Sequence, residues 1–187
     1  AAGTLASATD AAAFVYGHIA AVRAAPSLDQ ALENAQPVVD RAAQLLARDL
    51  QASMDVLRAA REIERTALAA RYNNELGYLN ALNRERARLY AKGSLEPAEE
   101  QRLRQIAELY AATRDWREPM EKVRAESEAT LNTRAALIVA TQTAVAEWAA
   151  AHRAIAVAVK DNRKVNVEAL VQATLEAREL IRRLRTP

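Results

Sequence analysis

The stretch Ala91-Lys92-Gly93-Ser94-Leu95-Glu96-Pro97 separates two unusually long runs of helix-compatible sequence, one from about Leu28 to Ala91 and one from about Leu95 to Lys160. Gly93 is a helix stop and Ser94 a helix start, with Pro97, Glu99 and Glu100 suited to the first turn that follows. A connection this short forces two long helices to fold back on each other as an antiparallel hairpin. The rest of the chain is therefore expected to arrange itself around that hairpin.

Composition supports an all-α fold. Aromatic residues make up only 4% of the chain against 51% hydrophobic overall, so the apolar content is mostly Ala and Leu rather than the β-branched and aromatic alternation of strands. The length of 187 residues suffices for one domain with a core of its own. Basic and acidic residues, 26 and 24, are interleaved, which argues against a dedicated nucleic-acid binder. The chain has no cysteine, so disulfides, thiolate metal sites and c-type haem attachment are excluded. No apolar run reaches the length of a membrane span. The start Ala-Ala-Gly-Thr fits either a removed signal peptide or a trimmed boundary. Export, for instance to a periplasm, is the expectation adopted, with the cytoplasm as the alternative.

On the N-terminal side, Thr9 or Asp10 is read as the cap of a first helix running to about Ala25, with Phe14, Val15, His18 and Val22 inward and Pro26 as its stop. Ser27 with Gln30 reads as a capping box for the second helix. Pro37 predicts a kink or restart there, and Pro119 interrupts the hydrogen-bond ladder of the third helix. The second helix has an apolar seam through Val39, Ala43, Leu46, Leu50, Met54 or Ser53, Leu57 and Ala60. That seam loosens at Arg71–Glu75 and resumes with Leu76, Leu79, Leu82 and Leu89. The third helix reads Leu103, Ile106, Tyr110, Thr113, Trp116, Met120, Val123, Ser127, Leu131, Ala135, Ile138, Val145, Trp148, His152, Ile155, Val159. After the polar turn Asp161–Lys164, Asn166 is placed as the cap of a fourth helix whose seam is Val167, Leu170, Thr174, Ala177, Ile181, Leu184.

Counting outward from Gly93 sets Leu50 level with Leu137 and Tyr72 level with Asp115 and Trp116. The two short helices then cover the same end of the hairpin. The expected architecture is an up-down-up-down bundle with two very long central helices forming a protruding antiparallel coiled-coil hairpin. Residues 9–50 and 138–185 form its four-helix base, and 51–137 a stalk with its tip at 92–95. At about 1.5 Å per residue that stalk would extend on the order of 60 Å. Asn73, Asn74 and Gly77 fall level with Pro119, and together they are read as a joint or hinge.

No nucleophile elbow, P-loop or paired Glu-x-x-His motif is present, so the chain is read as no enzyme and with no required cofactor. A narrow, Ala-rich seam buries little, which predicts pairing of the stalk with a second copy, as a homodimer, or with a partner protein. The tip residues Arg88, Lys92, Gly93 and Glu96 are the expected partner contact. The primary reading is thus a non-enzymatic scaffold or interaction module. The alternative is a ligand-binding bundle: His18 and His152 fall at one height on diagonal helices, a pair suited to haem, metal or a small molecule. A zinc site would need further ligands such as Glu33, Asp40 or Glu147. A third idea is a basic helical arm lying close to a membrane surface.

Overall fold

A computed structural model describes residues 4–186, with the side chain of Trp116 outside the description. The chain is an all-α bundle of four helices, α1 (Ala8–Ala24), α2 (Leu28–Ala91), α3 (Pro97–Lys160) and α4 (Val167–Arg185), with no strand among the described residues. It divides into two compact units, Ala1–Leu57 with Thr133–Pro187, and Arg58–Asn132.

The first helix starts earlier than expected. Ser7, not Thr9 or Asp10, is its cap, and Asp10 is the other half of a capping box. Ser7 Oγ accepts from the Asp10 N–H at 3.1 Å, and Asp10 Oδ2 accepts from the Ser7 N–H at 3.0 Å. The Ser7 hydroxyl first, then the Ala6 and Ser7 N–H groups that donate to the carboxylate, hold the Asp10 carboxyl below its ordinary range. Ser27 caps α2 as expected, accepting from the Gln30 N–H at 3.4 Å.

Neither proline restarts its helix. Both α2 through Pro37 and α3 through Pro119 are unbroken over 64 residues. The physical reason is exposure: both prolines face solvent, where water can serve the carbonyl four residues back that each leaves without a donor. Asn73, Asn74 and Gly77 are likewise exposed within unbroken helix.

In the first unit the expected seams meet. Ala11, Ala12, Val15 and Val22 of α1, Leu32, Val39, Ala42 and Leu46 of α2, Val145, Trp148 and Ile155 of α3, and Leu170, Ala177 and Ile181 of α4 form one buried core. A smaller core of Leu50, Met54 and Ile138, with Leu57, Ala135 and Leu184 against it, continues this unit past the expected base boundary at residues 50 and 138. Asn162 takes a left-handed conformation (φ 51°) after α3. The Arg163 N–H reaches Ala158 O at 2.8 Å and the Asn162 N–H reaches Val159 O at 3.0 Å, closing the helix as a Schellman turn. Asn166 stands at the start of α4 as expected, but its side chain makes no capping bond.

The second unit is the hairpin. Its turn differs from expectation: α3 starts at Pro97, and the cap is made by Glu99, whose carboxylate accepts from the Glu96 N–H at 3.1 Å, rather than by Ser94. Gly93 supplies the positive φ of 74°. Glu85 and Arg102, which the count from Gly93 puts at one height, pair through two bonds of 2.8 and 2.9 Å.

Two glycine substitutions are expected to have opposite signs. A methyl group added at Gly77 or at Gly93 meets no atom within 4 Å, so only the backbone matters. Gly93→Ala forces a side chain into the left-handed region and should destabilise by about 1 kcal/mol. Gly77→Ala, inside a helix, should stabilise by up to about 1 kcal/mol. Paired thermal or denaturant melts check both signs. A stabilised Gly93→Ala would contradict this account of the turn.

Candidate functional site

Both histidines lie inside the first unit, His18 with 3% and His152 with none of its surface exposed. His18 comes from α1 and His152 from α3, and the rings stand 5.0 Å apart between centroids, inclined by 43°. Their closeness follows from the small residues around them. Ala11 and Ala12 on α1 and Ala144 and Ala149 on α3 are buried, which lets large rings share one layer. Phe14 lies 5.0 Å from His18 and 6.2 Å from Trp148, and Trp148 lies edge-on to His18 at 6.0 Å.

The polar atoms of this layer are only half satisfied. His152 Nδ1 lies 2.7 Å from Gln36 Oε1 of α2. An amide oxygen only accepts, so Nδ1 carries the proton and Nε2 keeps a lone pair. The Nε2 atoms of both histidines and the indole Nε1 of Trp148 are buried without a hydrogen-bond partner. Such orphaned atoms are costly in a packed interior. Burial pushes both imidazoles down to about 4, with the neighbouring His152 a second cause for His18 and Asp40 opposing the change at His152. Both rings are therefore neutral at pH 7.

Of the carboxylates considered as additional ligands, Glu33 and Glu147 are exposed. Asp40 is engaged elsewhere, accepting from Arg153 at 2.8 Å and Gln36 Nε2 at 3.0 Å. Among the described residues no group of three or more His, Cys, Asp or Glu could hold a metal ion. A haem plane between the histidines finds no slot at a ring separation of 5.0 Å, with Phe14 and Trp148 packed into the same layer.

Sequence reasoning finds the histidine layer and misses Gln36. The count from the turn puts Ala35 at the height of His152, so the signal is the next residue along, a polar side chain beside a proline. Beyond Gln36, a groove of about 620 Å³ is lined by Asp29, Glu33, Pro37, Asp40, Arg153 and Val157, among others.

In the hairpin unit the expected seam holds at most positions. Val123, read as inward, is 65% exposed, and Leu76 is 43% exposed. Leu89 on α2 and Leu103, Tyr110, Thr113, Met120, Ser127 and Leu131 on α3 are half-buried as expected, and the charged Glu75 on α2 and Arg117 on α3 are half-buried beside them. Arg117 donates to the Tyr72 hydroxyl at 2.8 Å with its guanidinium 5.0 Å from the ring centre. The only buried side chains described in this unit are Leu79, Leu82 and Ile106. A groove of about 420 Å³ between its helices is lined by Leu68, Tyr72, Arg117, Met120 and Arg124, among others. At the turn, Lys92 is drawn into an ion pair with Glu99, while Arg88, Gly93 and Glu96 stay exposed. Tyr90 beside them is also exposed.

No family model matches the chain, and no curated protein or solved structure is similar to it. No helix among the described residues is long and apolar enough to cross a membrane.

Proposed function

We propose that this protein is a non-enzymatic scaffold whose working surface is the outward side of the helical hairpin Arg58–Asn132, and that a second copy of the chain pairs there as a coiled coil. The observation that carries this reading is the outward apolar row of α3. Leu109 and Val123 are both exposed and stand two heptads apart, on one face of the helix. On α2, Tyr72 and Leu76 are exposed one turn apart, and Ile63 is 71% exposed. Meanwhile the inner seam of this unit admits Glu75 and Arg117, both half-buried. A hairpin that turns charged groups toward its own seam and heptad-spaced apolar groups away from it gains its burial from another helix.

Charge favours a copy of the same chain as that partner. The hairpin carries fourteen basic and thirteen acidic residues, interleaved along its length. Such a face has no net field to select an acidic or a basic partner, but two copies related by a two-fold axis set each sign against the other. The absence of cysteine leaves an exported compartment part of this proposal, because no thiol is at risk there.

The test is solution mass, by light scattering across a concentration series, for the wild type and for Leu109→Glu/Val123→Glu. The wild type is expected to be a dimer, and the double variant a monomer of unchanged helicity. A wild type that stays monomeric at every concentration, or a double variant that still dimerises, would overturn the proposal.

A further inference from the structure

The histidine layer carries an inference independent of the hairpin. We propose that His18 and His152 form a two-donor site for one soft monovalent cation, Cu(I), inside the four-helix unit. The donors are two imidazoles from different helices, nearly fully buried, at a ring separation of 5.0 Å. Each retains a buried Nε2 with no hydrogen-bond partner.

The surroundings have the form of an outer ligand shell. A metal-bound histidine typically donates its other ring N–H to an oxygen that fixes the tautomer and the ring orientation. Gln36 Oε1 does this for His152 at 2.7 Å.

Charge and donor number select the ion. The layer supplies two neutral nitrogens and no carboxylate, since Asp40 is committed to Arg153 and Gln36. Zinc and iron sites draw three or four protein ligands, often anionic, and no such group exists among the described residues. The solvation cost of burying an ion rises with the square of its charge, so two neutral ligands in an apolar interior favour a single positive charge. Imidazole is a recognised donor to copper.

The experiment titrates the purified full chain with Cu(I) under anaerobic reducing conditions and with Ag(I) as a redox-inert probe. Thermal melting and the ring-nitrogen NMR signals of the two histidines are followed together. One equivalent of either ion is expected to raise the melting temperature and shift the Nε2 resonances of both histidines, with Zn(II) bound at least a hundredfold more weakly. Folded His18→Leu should lose at least a hundredfold in affinity. Gln36→Leu, which keeps both donors, should lose about tenfold. The proposal is overturned if neither ion moves the histidine signals, if Zn(II) binds as tightly, or if folded His18→Leu binds as the wild type does. A single ordered water bridging the three nitrogens, with no ion taken up in titration, would also overturn it.

Discussion

Trp148→Ala is expected to cost about 4 kcal/mol, within the usual range for a large aromatic removed from a core. Trp148 has no exposed surface and is among the largest side chains buried in the chain. It packs edge-on against Phe14 and His18 from α1, and its core neighbours include Val15, Val39 and Leu170 from the other three helices. Alanine would leave a cavity in a layer already built from small residues, and Ala144 and Ala149 cannot grow to fill it. Trp148→Phe separates packing from polarity. The indole N–H has no acceptor, so phenylalanine loses some volume but relieves a buried unsatisfied donor worth about 1–3 kcal/mol. The two substitutions should therefore differ strongly, with Phe close to wild type. Urea denaturation of both variants checks this. A loss for Trp148→Phe as large as its share of the removed volume demands would show that the indole N–H is satisfied and that volume alone sets the cost.

Acid is expected to unfold the four-helix unit in a window that belongs to its histidines. Both imidazoles are held at about 4, against an ordinary value of 6.5. The unfolded chain thus binds more protons than the folded one between these values, and stability falls as pH falls. The histidine contribution is intact above about pH 6.5 and is lost progressively as pH drops through about 4. A tenfold difference in proton affinity between the folded and unfolded chain corresponds to about 1.4 kcal/mol, which puts the ceiling on the order of 3 kcal/mol per histidine. The carboxylates whose pKa is lowered, Asp10, Glu85, Glu99 and Glu179, are protonated only at lower pH, so the upper part of the window reports on the histidines alone. Denaturant melts from about pH 7.5 to about 4.5 should show the decline, and His18→Phe should flatten it by about half. A wild-type profile that is level across this range would sink the assignment.

The fold is legible because helix, turn and height all follow from short-range rules. Leu170, Thr174, Ala177 and Ile181 read as one stripe and are all buried. Counting from Gly93 puts Glu85 against Arg102, and the structure joins them. It puts His18 near His152 as well, to within a turn. What fails is local. Ser7, Thr9 and Asp10 are all good caps by residue type, and only the bond from the Asp10 N–H to the Ser7 hydroxyl decides among them. Val123 reads as inward because an apolar residue at seam spacing looks like core. A helix wheel cannot tell an inner apolar row from an outer one a hundred degrees away when Arg117 and Arg124 can lie along the groove through their long aliphatic stems. The prolines mislead because their penalty depends on whether water reaches the freed carbonyl, which spacing does not encode. Gln36 escapes notice because a single glutamine has no pattern.

Helix α2 is one unbroken element of secondary structure that belongs to two different units. Its residues Val39, Ala42, Leu46, Leu50 and Met54 are locked into cores, whereas from Arg58 to Tyr78 no side chain is fully buried. Backbone protection follows the tertiary contacts that must be broken to open each turn, not the continuity of the hydrogen-bond ladder. Deuterium uptake along α2 should consequently change by orders of magnitude within a single helix, slow before Leu57 and fast from Arg58 to Tyr78. Continuous helicity here does not mean uniform cooperativity: the boundary between folding units is carried inside a helix, where no loop or break in the backbone marks it.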